Sequence, residues 1–366
     1  MRILEKELIV RAAPQYYQCQ EGVLNQLEPL LKERGIVKIL MIHGEKSLEA
    51  AKDYLPSFNE TFVHDELYSG ECSLSEIERL TNVIKQSSFE AVIGIGGGKV
   101  LDLTKAVGDE AKVPTILIPT LASNCAPWTP LTVYYNDEGQ FLYYKYHKTN
   151  TNIVLVEPRI ILDSPLQYFT AGIADTLAKW YEADVIIRKL EEIPLSVEIA
   201  YYAAKTCKDV LIQNSIKAVE DLKRGELSYE LVKVIETVFM AGGMVGGFGD
   251  EYGRVSGAHA IHNGLTQVPD THHLLHGEKV AYGILVQLAL EENWDEIKHL
   301  LNFYKALGLP YNLAALHLSL ADSSKLQKVI EAAVKPEETI HLIGENVSAE
   351  KLLNAIKRLE EFTVLV

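Results

Sequence analysis

The chain has 366 residues, of which 48% are hydrophobic and 23% charged, and its formal net charge is -15. That length is more than one compact core usually serves, so two domains are expected. The acidic balance argues against nucleic acid as the main partner, because phosphate binding needs a basic surface; a small anionic substrate stays compatible with a local cluster of cations.

The first part of the sequence alternates strand-like and helix-like runs. Residues 35–42 (GIVKILMI) read as a buried strand, and a helical pattern follows over Ser47–Leu55. Glu60–Leu67 reads as a second strand and Ser73–Gln86 as a polar helix with apolar Ile77, Leu80, Val83 and Ile84. Phe89–Ile95 and Pro114–Ile118 are further strands, and Asn152–Asp163 reads as an apolar strand pair ending at Ser164-Pro165. This rhythm implies a parallel sheet covered by helices. Beyond Pro165, strand-like runs nearly vanish, and Ala171–Leu190, Leu195–Asn214, Tyr229–Met244 and His276–Asn293 carry helical periodicity. The expected organisation is α/β plus all-α: a parallel-sheet domain over residues 1–164 and a helical domain over 165–366.

No apolar run is read as long enough to span a bilayer, and the MRILEKELIV start lacks a signal-peptide pattern. Cys19, Cys72, Cys125 and Cys207 form no CxxC pair, so free thiols in a reducing cytoplasm are expected.

The strand Phe89–Ile95 runs into Gly96-Gly97-Gly98-Lys99 and then a helical stretch that includes Asp102. Strand, glycine turn and helix make a phosphate cradle, in which backbone amides and a helix N-terminus approach a pyrophosphate. Lys99 stands where a GxGxxG motif has its third glycine, and no Walker GK[ST] is present. A ligand-free tight turn is the plain alternative, but four glycines in five residues exceed what a turn requires. Upstream, Glu45 follows a strand end, where an acid can accept both ribose hydroxyls and repel a 2′-phosphate. A surface glutamate is the plain reading there, and the adjacent Lys46 blurs the choice between NAD and NADP.

The helical part holds Asp175 in an otherwise small and apolar run. A buried carboxylate needs a cation, which Lys179, one turn on, or a metal can supply. Five of the eleven histidines fall in Ala258–Gly283: His259, His262, His272, His273 and His276. A carboxylate with two imidazoles and an open position is a catalytic metal arrangement. Spacing does not choose between the pair at i, i+3 and the pair at i, i+4, and loop-like residues Thr266–Thr271 separate the two groups, so one ligand from each side is expected. His272 and His273 read as solvated or capping side chains.

GIGGGKVLDLTKAV, PTLASNCAPWTPLTVYYNDEGQ, AGIADTLAKWYEA, SGAHAIHNGLT and HHLLHGEKVAYG occur in this order. Together they resemble the glycerol dehydrogenase branch of the iron-containing alcohol dehydrogenase superfamily, and a hydroxycarboxylate dehydrogenase subgroup within it. The resemblance implies a Rossmann-like N-terminal domain and a helical metal-binding C-terminal domain, an architecture shared with dehydroquinate synthase. It implies Asp175, His259 and His276 as metal ligands, with zinc as the ion. It implies NAD contacts at Glu45, Gly98, Lys99, Thr120, Ser123, Thr129, Leu131 and Tyr135; Gly96, Gly97 and Asp102 complete the candidate cofactor set. It also implies a homo-oligomer.

Iron-binding relatives carry a histidine four residues after the aspartate, where this chain has Lys179, so a three-ligand site fits better. Glycerol dehydrogenases carry an aspartate where this chain has Cys125, and a small neutral residue where it has Lys179. An acid is lost and a base gained, which favours a carboxylate-bearing substrate over a polyol. The expected chemistry is hydride transfer between NAD, or NADP, and a small 2-hydroxy acid or its 2-oxo acid, with the metal polarising the substrate oxygen. Lys179 and Cys125 are the candidate substrate residues, and His262 the candidate proton relay. Trp128 reads either as a pocket wall or as core. Three alternatives are a glycerol dehydrogenase making dihydroxyacetone, a lyase resembling dehydroquinate synthase, and a non-enzymatic metal-binding scaffold.

Overall fold

The computed structural model describes residues 7–344 and 347–365. Two compact units are present. One comprises Arg11–Pro165 together with Asp221–Met244; the other holds residues 7–10, Leu166–Glu220 and the described chain from Val245 onward. The sequence suggested a single division at residue 164, but Asp221–Met244 groups with the sheet. Gly243 is one reason. A Cβ there would lie 2.3 Å from Trp128 Cδ1, so the glycine lets a helix backbone rest against the indole.

The first unit is built on a six-stranded sheet with strands β1 (Tyr16–Cys19), β2 (Lys38–His43), β3 (Phe62–Leu67), β4 (Ala91–Gly96), β5 (Thr115–Pro119) and β8 (Ile153–Val156). The spatial order is β1-β8-β5-β4-β2-β3, and every pairing is parallel. Helices α1 (Leu27–Glu33), α2 (Glu45–Ala51), α3 (Leu74–Ser87) and α4 (Gly98–Ala111) connect the strands. Central strands are apolar without interruption because both faces are covered. Along β2, Ile39 and Met41 enter one core with Leu27, Leu31, Ile93 and Ile95; Leu40 and Ile42 enter the other with Leu80, Ile84, Leu103 and Val107. Ser73 caps α3 by accepting from Glu76 N.

After β5, two segments differ from the sequence expectation. A two-stranded antiparallel hairpin, β6 (Leu131–Tyr135) and β7 (Phe141–Tyr146), leaves the main sheet. The expected strand pair over 152–163 is one strand, β8, followed by α5 (Pro158–Leu162). Glu157 caps α5 by accepting from Arg159 N, and Pro158 occupies its first turn, where the missing N–H costs nothing.

The helical elements that follow are α6 (Leu166–Ile187), α7 (Leu195–Arg224), α8 (Tyr229–Glu236), α9 (Gly242–Gly249), α10 (Gly257–Leu265), α11 (His276–Leu290), α12 (Trp294–Leu307), α13 (Ser323–Ala333) and α14 (Ala349–Leu365). A π-helical stretch, Thr237–Ala241, joins α8 to α9. The resulting helix, Tyr229–Tyr252, has 24 residues and a mean hydropathy of 1.5, long and apolar enough to cross a membrane. This corrects the expectation that no run is long enough to span a bilayer. Its apolar window is 67% buried, so the hydrophobic residues are committed to packing.

Candidate active site

In the sheet unit, β3 and β4 lie on opposite sides of β2, so the strand order reverses at the β2/β4 pair. Ligands of open α/β sheets bind at the carboxyl ends of strands at such a switch point. Of the candidate cofactor residues, Glu45, Gly96, Gly97, Gly98 and Thr120 lie at or just after the carboxyl ends of β2, β4 and β5 at this edge. β2 ends at His43, paired with Ile95 of β4, and Glu45 follows at the exposed start of α2. Ser47 Oγ donates to Ile95 O at 2.8 Å and ties the two strand ends together. Gly96-Gly97-Gly98 leads into α4, and Thr120 N donates to Gly96 O at 3.0 Å.

Packing explains part of the glycine run. A Cβ on Gly96 would lie 2.6 Å from Val100 Cβ, and one on Gly98 would lie 2.9 Å from Asn124 Nδ2. The turn therefore needs glycine for its own closure, and it leaves the N-terminus of α4 open to an anion. Lys99 pairs with Glu71 at 2.5 Å and lies over the Tyr135 ring. Burial, Asp102 and Glu71 push the Tyr135 hydroxyl up to about 12.

The loop after β5 carries Ser123, Cys125 and Thr129. Thr129 N and Oγ1 both donate to Cys125 O, at 3.2 and 3.4 Å. Leu131, half-buried, opens β6. Asp102 does not join the cofactor group. Its carboxylate faces inward, pairs with Lys105 at 2.8 Å and accepts from Val133 N at 2.9 Å. Trp128 is core: it is buried, donates from Nε1 to Ala12 O and meets Tyr17 edge-on.

In the helical unit, Asp175, His259 and His276 offer ligand atoms that all lie within 4.8 Å of one another. Asp175 comes from α6, His259 from α10 and His276 from the first turn of α11. Glycines beside the ligands bring these helices together. A Cβ on Gly277 would lie 1.9 Å from Ala171 O, so α11 touches the α6 backbone one turn before Asp175. A Cβ on Gly283 would lie 2.4 Å from Ala258 O, so α11 meets α10 beside His259.

Asp175 Oδ1 lies 3.1 Å from His276 Nε2 and 3.5 Å from His259 Nε2. The outward nitrogens are occupied. His259 Nδ1 is 2.7 Å from Glu182 Oε2, and His276 Nδ1 is 2.9 Å from His262 Nε2. Both Nε2 atoms therefore turn toward Asp175. Two imidazoles and one carboxylate, with outer partners fixing the rings, fit a three-ligand site for a divalent transition metal such as zinc.

Glu182 was not singled out from the sequence. It lies seven residues after Asp175 on α6 and is fully buried. Its Oε1 accepts Ser256 N at 2.7 Å and His259 N at 2.9 Å, and so supplies the cap for α10 that the Ser256 side chain does not provide. The rule that a buried carboxylate needs partners would have flagged it as it flagged Asp175.

Burial alone would raise the Asp175 carboxyl. Hydrogen bonds from His259 and His276, and the charges of His276 and Lys179, hold it well below the usual carboxylate range. Burial opposes a proton on His259, but Glu182 and Asp175 together raise that imidazole to about 9. Burial, then the charges of His276 and His259, press His262 well below its ordinary value. Lys179 is buried, one turn beyond Asp175.

His262 was expected as a proton relay. Its Nε2 meets His276 and its Nδ1 lies 3.1 Å from Asn263 Oδ1, an arrangement that orients His276. His272 and His273 are exposed and stand apart: His272 Nε2 meets Thr266 O, and His273 packs edge-on to His317.

Residues 14–158 match the iron-containing alcohol dehydrogenase family. The chain is 39% identical over 354 residues to hydroxycarboxylate dehydrogenase A of Escherichia coli, covering 96% of this chain and 98% of that protein. It is 34% identical over 347 residues to glycerol dehydrogenase of Thermotoga maritima, covering 93% and 94%. The crystal structure of glycerol dehydrogenase from Schizosaccharomyces pombe superposes with a TM-score of 0.87 at 28% identity, over 100% of this chain and 93% of that one. The chain belongs to the iron-containing alcohol dehydrogenase family and is an oxidoreductase acting on alcohol groups.

Proposed function

We propose that this enzyme transfers hydride between NAD and a small 2-hydroxy acid/2-oxo acid pair, using a divalent ion, zinc by its donor set, held by Asp175, His259 and His276. The observation that carries the substrate class is Lys179, a buried cation one helical turn from Asp175 whose charge reaches that carboxylate. A cation in such surroundings favours an anionic ligand, since an ion pair shielded from water gains more than an exposed one. Cys125 works in the same direction, because it stands where glycerol dehydrogenases carry an aspartate. The name of the Escherichia coli relative, hydroxycarboxylate dehydrogenase A, agrees with this class.

When bound, the ion supplies Lewis acidity toward the substrate oxygen and the nicotinamide the hydride chemistry. The chain's own residues hold and orient. Glu182 fixes the His259 ring and His262 the His276 ring. The amides at the start of α4 receive the cofactor phosphates, and Glu45 the adenine-side ribose, which favours NAD over NADP. Ser123, Thr129, Leu131 and Tyr135 are read as further contacts for the cofactor. We further read the enzyme as a cytoplasmic homo-oligomer.

A second reading, a glycerol dehydrogenase, is favoured by the Thermotoga maritima relative and by the Schizosaccharomyces pombe structure. Steady-state rates separate the two. With NADH, the best 2-oxo acid should exceed dihydroxyacetone in kcat/KM by about tenfold or more, the scale of one good charge-assisted contact. The opposite ranking replaces the acid reading with the diol reading. Chelation should abolish turnover and zinc should restore it; full activity in metal-free protein rules out the metal role.

A further inference from the structure

Helix α4 does more than present its N-terminus. Asp102, Lys105 and Asp109 recur at i, i+3 and i+7 and share one face of it. Each fastens part of the segment 126–147. Lys105 is buried, and its Nζ donates to Ala126 O at 2.8 Å, Thr129 O at 3.0 Å and Leu131 O at 2.5 Å. Asp102 neutralises it at 2.8 Å and takes Val133 N, while Asp102 O accepts from Thr132 Oγ1 at 2.9 Å. Asp109 Oδ2 lies 3.2 Å from His147 Nδ1, and His147 Nε2 meets Thr132 Oγ1 at 2.8 Å.

One ammonium thus gathers three carbonyls of a single loop. Those carbonyls sit among Cys125, Thr129 and Leu131, and the loop follows β5, on the opposite side of β4 from β2 and Glu45. If Glu45 and the glycine turn take the adenosine and phosphate half of the cofactor, this loop faces the nicotinamide half. A buried lysine is costly unless fully partnered, and here every proton of the ammonium has an acceptor.

We propose that Lys105 is a positioning residue for the nicotinamide end of the cofactor. It touches no cofactor atom itself. It sets the shape of the Ala126–Leu131 loop and locks that loop to the helix whose N-terminus receives the phosphates. The inference rests on the NAD reading above.

The test measures binding of NADH and of ADP-ribose to the full chain, in the wild type and in Lys105→Met and Lys105→Gln. ADP-ribose carries the phosphates and the adenosine without the nicotinamide. Lys105→Met should raise the NADH dissociation constant by about tenfold or more, the loss of two or three charge-assisted bonds, and leave ADP-ribose within about twofold. Lys105→Gln, which keeps a donor, should fall between wild type and Lys105→Met. Equal weakening of both ligands, as a general loosening of the unit produces, overturns the inference, and so does unchanged NADH binding. If Lys105→Met does not fold, the same contrast in Lys105→Gln decides. A wild-type protein that binds neither ligand overturns the NAD reading and this inference with it.

Discussion

Glu182 and His259 are joined twice: Oε2 lies 2.7 Å from the imidazole Nδ1, and Oε1 accepts the backbone N–H of the same residue at 2.9 Å. The carboxylate therefore sets both the ring orientation and the helix end that carries it. A negative charge at the N-terminus of α10 also complements the helix dipole. Glu182→Gln keeps the size and loses the charge. Outer-partner mutations of this kind typically cost about 10- to 100-fold in metal affinity. Competition with a chelator should show zinc binding weakened on that scale, with activity recovering at high zinc. Unchanged zinc affinity would reduce Glu182 to a helix cap.

Gly277 predicts a second effect. A methyl group there meets Ala171 O at 1.9 Å, and backbone stands on both sides, so neither partner yields cheaply. Gly277→Ala should part α11 from α6 at the point where His276 faces Asp175. Overpacking costs about 1–3 kcal/mol, so a lower Tm is expected. Bound zinc should fall with it; a variant with full zinc content and wild-type Tm would show that the helices separate freely.

The buried His147 links acidity to stability in the sheet unit. Burial, then the charge of Lys105, lowers its pKa below the ordinary histidine value; Asp109 opposes this and does not win. Lys145 is the other charged group facing it. The unfolded chain takes up this proton near pH 6.5 and the folded chain only at lower pH. His147 thus contributes stability above about pH 6.5 that is lost as pH falls through the folded value. Denaturant unfolding at pH 7.5 and 5.5 should show a loss in the wild type that is smaller in His147→Gln. Equal losses would assign the acid sensitivity to other groups.

Much of the sheet was legible because buried parallel strands leave continuous apolar runs, as in Ile39–Ile42 and Ala91–Ile95. The hairpin β6–β7 was readable in principle: Asn136–Gly139 is a turn signal between two β-rich runs. Strand β1 was not readable, because four residues become a strand only by pairing with β8, distant in sequence. Pro158 lies inside the run read as a strand pair and instead starts a helix. In the metal site, residue types and the family motif singled out Asp175, His259 and His276, which the fold brings together. Glu182 lay outside that reading, and His262 entered it as a proton relay rather than as the partner of the His276 ring. His262 meets His276 across a loop, and Glu182 meets His259 across 77 positions, contacts that no local spacing records.

The substrate claim rests on Lys179, and Lys179→Ala tests it most directly. A substrate carboxylate that loses a shielded cation should bind about tenfold or more weakly. KM for the preferred 2-oxo acid should rise on that scale while KM for a neutral ketone of similar size stays within about twofold. An equal rise in both KM values, with kcat falling in parallel, would show that Lys179 serves the Asp175 site as a whole and would contradict a carboxylate-bearing substrate.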